Sequence, residues 1–339
     1  MRARSALVPA ALAAGVLFLG ACGDPGSSGS APSAPAQTGG SSATALAACE
    51  AVPGQDLVVL ADDKGLQTVD NIIPAVNAAA AQASPGLVDV LDTVSATLDT
   101  QTLIGLNRAV DVERRTSSEV AAEFVAEQGL DKAEQVGGGS AVVVGAANFS
   151  ESATLAEVYA GALRAAGFDA SVQTIGNRET YEPALESGDL TVVPEYVGTL
   201  TEFLNSSVNG PDATPLASPD LDATTAALTD LGSQRGLVFG TPAAAQDQNA
   251  FAVTTGFAEK YDVSTLSDLA AACGGITLGG PPECPERPYC QPGLEEKYGL
   301  DITDFTSLDA GGPLTKAALQ QGQVVLGLVF SSDGQLAAG

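Results

Sequence analysis

The chain has no histidine and no tryptophan, one methionine and six tyrosines, and it carries 14 lysines and arginines against 41 aspartates and glutamates. Each shortage removes a class of function. Without histidine there is no imidazole base near neutral pH, no histidine-based nucleophilic triad and none of the common zinc sites. A net charge of −27 with no basic cluster argues against nucleic acid as a partner and against binding to an anionic membrane surface. Carboxylates are so plentiful that two of them close in sequence say nothing about glycosidase-type chemistry. The expectation is a protein that is not an enzyme, with no cofactor and no metal.

What is present begins with an export signature. Arg2 and Arg4 precede an apolar run over residues 6–20, which is too short and too weakly flanked for a stable transmembrane helix and reads as a signal peptide over 1–21. Leu19-Gly20-Ala21-Cys22 resembles a bacterial lipobox, so Cys22 is the expected lipidation site; the alternative is an ordinary signal with a chance cysteine. Residues 22–48 are rich in Gly, Ser, Pro and Ala and read as a flexible tether. About 25 such residues reach on the order of 28 Å, which would hold a globule just off the outer face of a cell membrane.

Four further cysteines, Cys49, Cys273, Cys284 and Cys290, form an even set that in an exported chain reads as disulfides. Cys284 and Cys290 enclose a short proline-rich loop and are expected to pair, which leaves Cys49 for Cys273. A metal site is the weaker alternative, because no histidine and no CxxC spacing supports it.

The stretch 142–200 carries the most organisation. Val142, Val143 and Val144 read as a strand leading through Gly145 to Asn148-Phe149-Ser150, with Ser150 a candidate helix cap. Leu155, Val158, Tyr159, Ala162, Leu163 and Ala166 then recur at helical spacing up to Gly167. Strand 170–175, helix 180–187, the stop Gly188 and strand 190–194 follow. Alternating strands and helices imply a mostly parallel sheet covered on both faces. A second unit repeats the order: a capping box Thr265-x-x-Asp268, strand 275–278, a helical turn at 293–298, helix 315–321, the stop Gly322 and strand 324–330. ALESGDLTVV at 184–193 and ALQQGQVVLG at 318–327 echo each other, as a duplicated α/β lobe would.

Motifs spread over both units resemble the substrate-binding proteins of ABC importers for glycine betaine, choline and related osmoprotectants. The similarity runs through Gly145 to Glu151, Glu195-Tyr196 with Gly198-Thr199, Gln248-Asn249-Ala250-Phe251 and Leu266-Ser267-Asp268-Leu269. It continues in Glu283 with Glu286-Arg287-Pro288, Pro292-Gly293-Leu294, Asp309-Ala310-Gly311 and Phe330-Ser331-Ser332-Asp333-Gly334. The resemblance implies an α/β fold, a two-lobed periplasmic-binding-protein-like (type II) clamshell. It also implies a monomer that binds a small molecule and presents it to an ABC permease in the membrane, held there by its lipid anchor.

Against that family the order of segments is unusual. Relatives open near residue 141 and continue past the Ser331–Gly334 element into further strands and helices, whereas this sequence stops at Gly339. Leu57 to Gly65 and Asn71 to Asn77 look like the missing strands, residues 88–110 like the closing helices, and 119–130 like the last helix. The resemblance therefore implies a circular permutation. Gly137-Gly138-Gly139-Ser140 would be a flexible joint, residues 49–69 and 250–339 one lobe (lobe II), and 70–249 the other (lobe I). The alternative is an independent N-terminal helical domain ahead of a shortened binding protein.

The family's ligand residues carry over as Asn148, Phe149, Tyr196, Thr199, Asn249, Phe251, Arg287 and Asp309, with Arg178, Tyr181 and Tyr289 nearby. Tyrosine faces suit a quaternary ammonium that donates no strong hydrogen bonds. Lobe closure would hinge near 250–253 and 72–76. Ala147 stands where relatives often have lysine, Ser152 where they have glutamine, and no tyrosine follows Gly312. These departures leave open a non-cationic phenolic or carboxylate ligand, for which Arg287 and Arg178 would be suited, and a role in sensing without transport.

Overall fold

The computed structural model describes residues 46–336. The expected signal peptide, the lipidation site Cys22 and the tether up to residue 45 lie outside the described residues. In chain order the strands are β1 (Leu57–Leu60), β2 (Ile72–Asn77), β3 (Ala141–Ala146), β4 (Asp169–Thr174), β5 (Val192–Tyr196), β6 (Leu237–Phe239), β7 (Asn249–Thr254), β8 (Ile276–Gly280), β9 (Ile302–Ser307) and β10 (Leu326–Phe330). The helices are α1 (Ala78–Ala83), α2 (Leu87–Ser95), α3 (Thr100–Asp111), α4 (Ser117–Glu127), α5 (Ser150–Ala165), α6 (Arg178–Ser187), α7 (Val197–Asn209), α8 (Leu221–Gln234), α9 (Thr255–Tyr261), α10 (Leu266–Ala272), α11 (Gln291–Gly293) and α12 (Pro313–Gln320). Among the described residues, no helix is long and apolar enough to cross a membrane.

Two five-stranded sheets form, ordered β4-β3-β5-β2-β6 and β1-β7-β10-β8-β9. Their designs match. In the first, β3 runs parallel to β4 and β5, and β2 lies antiparallel between β5 and β6. In the second, β8 runs parallel to β9 and β10, and β7 lies antiparallel between β10 and β1. Helices cover both faces of each sheet, so the central strands are buried on both sides and apolar throughout, as in Leu326–Phe330. Ile72, Val144, Leu155, Tyr159 and Val192 sit in the core on one face of the first sheet, and Ile73, Val193, Leu200 and Leu228 on the other. Leu278, Leu294 and Leu326 anchor the second lobe.

The sequence echo is a structural one. Gly188 and Gly322 both adopt left-handed φ, 86° and 69°, which stops α6 and α12 and turns the chain into β5 and β10. The capping box is present at α10, where Thr265 and Asp268 satisfy each other's backbone amides. Three expectations need correction. Phe149, not Ser150, holds the cap position of α5; Ser150 is already helical, and the Ser152 hydroxyl instead accepts from the Ala147 amide at 2.9 Å. The segment 137–140 is no slack joint. Gly138 and Gly139 take positive φ, the Gly139 amide donates to the Gly167 carbonyl, and a Cβ on Gly137 would lie 2.3 Å from the Phe168 nitrogen. The segments 72–76 and 250–253 lie inside ladders, which hold them rigid. The chain crosses between lobes just outside them, where Asn71 bridges Gln246, the Asp247 amide donates to the Asp70 carbonyl, and the Ser331 amide donates to the Gln248 carbonyl.

Strand β1 pairs along its whole length with β7, and the chain ahead of it is laced to the same lobe. The Cys49 amide donates to Gly275, and Cys49 is bonded to Cys273; Cys284 is bonded to Cys290.

Candidate functional site

Parallel strands of an open α/β sheet present their carboxyl ends to ligands, and here the ends of β3, β5, β8 and β10 face one another across the seam between lobes. Three aromatic rings meet there. Tyr196 ends β5, Phe330 ends β10, and Phe149 stands in the loop from β3 to α5. The Phe149 ring centroid is 6.4 Å from that of Tyr196 and 5.6 Å from that of Phe330. Phe149 and Tyr196 were expected from sequence; Phe330 was not singled out as a ligand residue. The echo could have found it, because Tyr196 follows Gly188 and Phe330 follows Gly322 by the same number of residues. Beside the rings is a cavity of about 30 Å³ lined by Phe149, Glu151, Phe330, Ser332 and Asn107, among others.

Under the rings lies a buried polar floor that sequence reasoning missed. Glu151 accepts from the Tyr196 hydroxyl, the Asn107 amide and the Ser332 hydroxyl, each at 2.6 Å. Asp247 accepts the Ser332 backbone amide at 3.1 Å. Burial pushes the Glu151 carboxyl above its ordinary range, against the pull of its hydrogen-bond donors. Burial, and then the neighbouring charge of Glu151, pushes Asp247 well above its own. The Asn107 Oδ1 is buried without a partner, so the floor has an unused acceptor at the cavity wall. These residues come from α3, α5 and two of the three crossings, with partners up to 225 positions apart. Glu151 and Ser332 fall inside motifs named from sequence, but no local pattern brings them together with Asn107 and Asp247.

A second cluster surrounds Arg178 at the start of α6. Its guanidinium donates to Glu195 at 2.6 and 2.9 Å and to the Thr199 hydroxyl at 3.0 Å, and Tyr181 donates to Glu195 at 2.7 Å. Arg178 and Glu195 are 7% and 1% exposed. Asp70, on the crossing before β2, accepts from the Gly198 and Thr199 amides, each at 2.9 Å. Burial raises its carboxyl to about 7, although the Thr199 amide and Arg178 pull it down.

Arg287, in the loop after β8, reaches across the seam to Glu179 at 3.0 Å and also approaches Glu283 at 3.5 Å. Asn249 donates to the Tyr289 carbonyl at 3.0 Å. The Asp309 carboxylate is committed to the start of α12, where it accepts the Leu314 and Thr315 amides at 2.9 Å. Asn148 is exposed. Phe251 departs from its expected role: it is 2% exposed, packed in the core of the second lobe with Leu60 and Leu278, because β7 is a central strand with helices on both faces. Among the described residues, no group of three or more Asp, Glu, His or Cys is placed to hold a metal ion. The arrangement brings aromatic rings and buried polar groups together around one small cavity.

A family model described as the substrate binding domain of ABC-type glycine betaine transport system matches residues 43–127 and 140–338. The glycine-betaine-binding protein of Pseudomonas aeruginosa is 30% identical over 204 residues, which cover 57% of this chain and 62% of that protein. The glycine betaine-binding protein YehZ of Escherichia coli K12 is 29% identical over 173 residues, covering 48% of this chain and 55% of that protein. The chain thus spans less than two thirds of the length of either relative.

Proposed function

This chain belongs to the family of substrate-binding domains of ABC-type glycine betaine transport systems, and from that premise we propose that it captures a small quaternary ammonium osmolyte outside the cytoplasm and delivers it to an ABC permease. The observation that carries this reading is the meeting of Phe149, Tyr196 and Phe330 from both lobes above buried carboxylates. A cation without N–H donors is held best by ring faces, each worth about 0.5–2 kcal/mol depending on desolvation. Glu151 and Asp247 add polar oxygens beneath. The mechanism is closure without chemistry: the lobes rotate about the crossings near 67–71, 245–248 and 331–333 and seal the ligand between them.

Three further parts of the proposal concern the rest of the chain. Cys22 is lipidated, so the protein is anchored at the outer face of the membrane. The chain is a circular permutation of the family's order, with lobe II built from 49–69 and 250–339 and lobe I from 70–249. The family match in two pieces that leave out 128–139, and the pairing of β1 with β7, both support this order. The protein acts as a monomer.

A phenolic or carboxylate ligand is the second reading. It is disfavoured because Arg178 and Arg287, the groups that would receive it, are paired with Glu195 and Glu179. A thermal-shift and calorimetry screen with glycine betaine, choline, carnitine and simple phenols tests both. Stabilisation by a trimethylammonium compound is expected; a response to phenols alone would overturn the proposal. Ligand binding without uptake through a partner permease would point to sensing instead.

A further inference from the structure

Asn107 follows the core residue Leu103 by one turn of α3, which puts it on the buried face of that helix. It is 4% exposed, and its hydrogen bonds fix the direction of its side chain. Nδ2 donates to the Glu151 carboxylate at 2.6 Å and to the Ser332 carbonyl at 3.0 Å. Turning the amide over would set its oxygen against two acceptors, so Nδ2 stays on that side and Oδ1 on the other. Oδ1 is buried with no partner, and Asn107 lines the cavity beside the rings. A buried acceptor left unmatched carries a cost that a donor entering the cavity removes.

The buried carboxylates around the same cavity are already committed to donors of the protein. Glu151 accepts from Tyr196, Asn107 and Ser332. Asp333 accepts the Gln335 amide and pairs with the buried Lys316. Phe149 and Phe330, two of the rings proposed to hold the ligand's head, form apolar walls. Gly311 closes the second lobe's side so tightly that a Cβ there would lie 2.9 Å from the Phe330 ring. A space of about 30 Å³ admits a water-sized group. A hydroxyl fits it by size and by chemistry. A carboxylate brings acceptors and no donor, and a methyl leaves Oδ1 unmatched.

We infer that Asn107 is a ligand-binding residue whose Oδ1 accepts a hydroxyl of the ligand, so that the cleft takes a quaternary ammonium carrying an alcohol on a short arm. The inference rests on the proposed quaternary ammonium site. Choline and propyltrimethylammonium are the probe pair, since they share the trimethylammonium head and differ by a hydroxyl against a methyl at the end of the arm. Calorimetric titration of the full chain is expected to show choline bound on the order of tenfold more tightly. Asn107→Ala and the near-isosteric Asn107→Leu remove the acceptor and are expected to bring the two affinities within about twofold of each other. Both compounds carry the same head, so damage to the Glu151 floor alone would weaken them alike and leave their ratio unchanged. That result would make Asn107 a support of Glu151 only and overturn the inference. Equal binding of the two compounds by the wild type would overturn it too, while leaving the proposed function standing. Should neither variant fold, the wild-type ratio decides the matter. Binding of neither compound by the wild type would overturn the proposed function and this inference with it.

Discussion

Replacing Glu195 by glutamine tests the buried ion pair that fixes α6 against β5. Glu195 accepts the Arg178 guanidinium at 2.6 and 2.9 Å, the Tyr181 hydroxyl at 2.7 Å and the Tyr196 amide at 3.1 Å. With 7% and 1% of the two side chains exposed, water cannot replace a lost partner. Glu195→Gln keeps the shape and one acceptor oxygen but removes the paired counter-charge, leaving Arg178 a buried charge held there by neutral acceptors, the Gln oxygen and the Thr199 hydroxyl. Breaking one side of such a pair costs about 3–5 kcal/mol, whereas removing both sides costs much less. Arg178→Met alone should therefore also be costly, and the double variant Arg178→Met/Glu195→Gln should fall short of the summed single costs by about 2 kcal/mol or more. At about 2–4 °C per kcal/mol for a chain somewhat smaller than this one, Glu195→Gln should lower the melting temperature by roughly 6–20 °C. Urea titration of all four proteins at neutral pH gives the cycle directly. A single-variant cost below about 0.5 kcal/mol, or strict additivity, would refute the account of Glu195 as the counter-charge of a desolvated guanidinium.

Phe330→Ala should weaken binding of a trimethylammonium ligand by about tenfold, the loss of one ring face; calorimetry showing unchanged affinity would remove Phe330 from the site. The two disulfides should differ in weight, because one closes a separation of 224 residues and the other a separation of 6. By chain entropy, Cys49→Ser/Cys273→Ser should cost up to about 5 kcal/mol and Cys284→Ser/Cys290→Ser about 2 kcal/mol, measured as denaturant midpoints. The buried acids should give an unusual pH profile. Asp70 titrates at about 7 in the fold against an ordinary value of 3.8, and Glu151 and Asp247 are shifted in the same direction. A raised carboxyl binds more protons folded than unfolded, so its contribution is full below about pH 4 and is lost as pH rises through about 7. The melting temperature should climb as pH falls from 8 to about 5, and Asp70→Asn should flatten that climb; a melting temperature that falls over this range would contradict it.

Much of the fold was legible because its causes are local. Helical spacing set α5, the Thr265 and Asp268 box opened α10, and Gly188 and Gly322 ended α6 and α12; each acts within a few residues. Where the local cue was ambiguous the expectation went astray. Ser150 is a good capping residue by type, yet the tight turn out of β3 left Phe149 at the boundary. Three glycines in a row suggested slack at 137–139, yet their freedom at positive φ is what lets the chain pack closely against Gly167. Asn249 and Phe251 share a face of β7, and nothing in their spacing says that Phe251 is sealed in the core.

By itself, the sequence determined two α/β units with the same internal order, a strongly acidic chain without imidazole chemistry, the even cysteine set, and the family to which the motifs belong. Those properties follow from composition and from contacts a few residues apart. Only the tertiary structure decided how the site is charged. It drew Glu151, Asn107 and Ser332 together from positions up to 225 apart, set Phe330 against Phe149, and paired Arg178 with the buried Glu195 and Arg287 with the exposed Glu179. It also placed Asp70 at the start of α7. The physical reason is burial: a carboxylate's role depends on which donors remain within 3 Å once water has left, and residue order alone does not fix that.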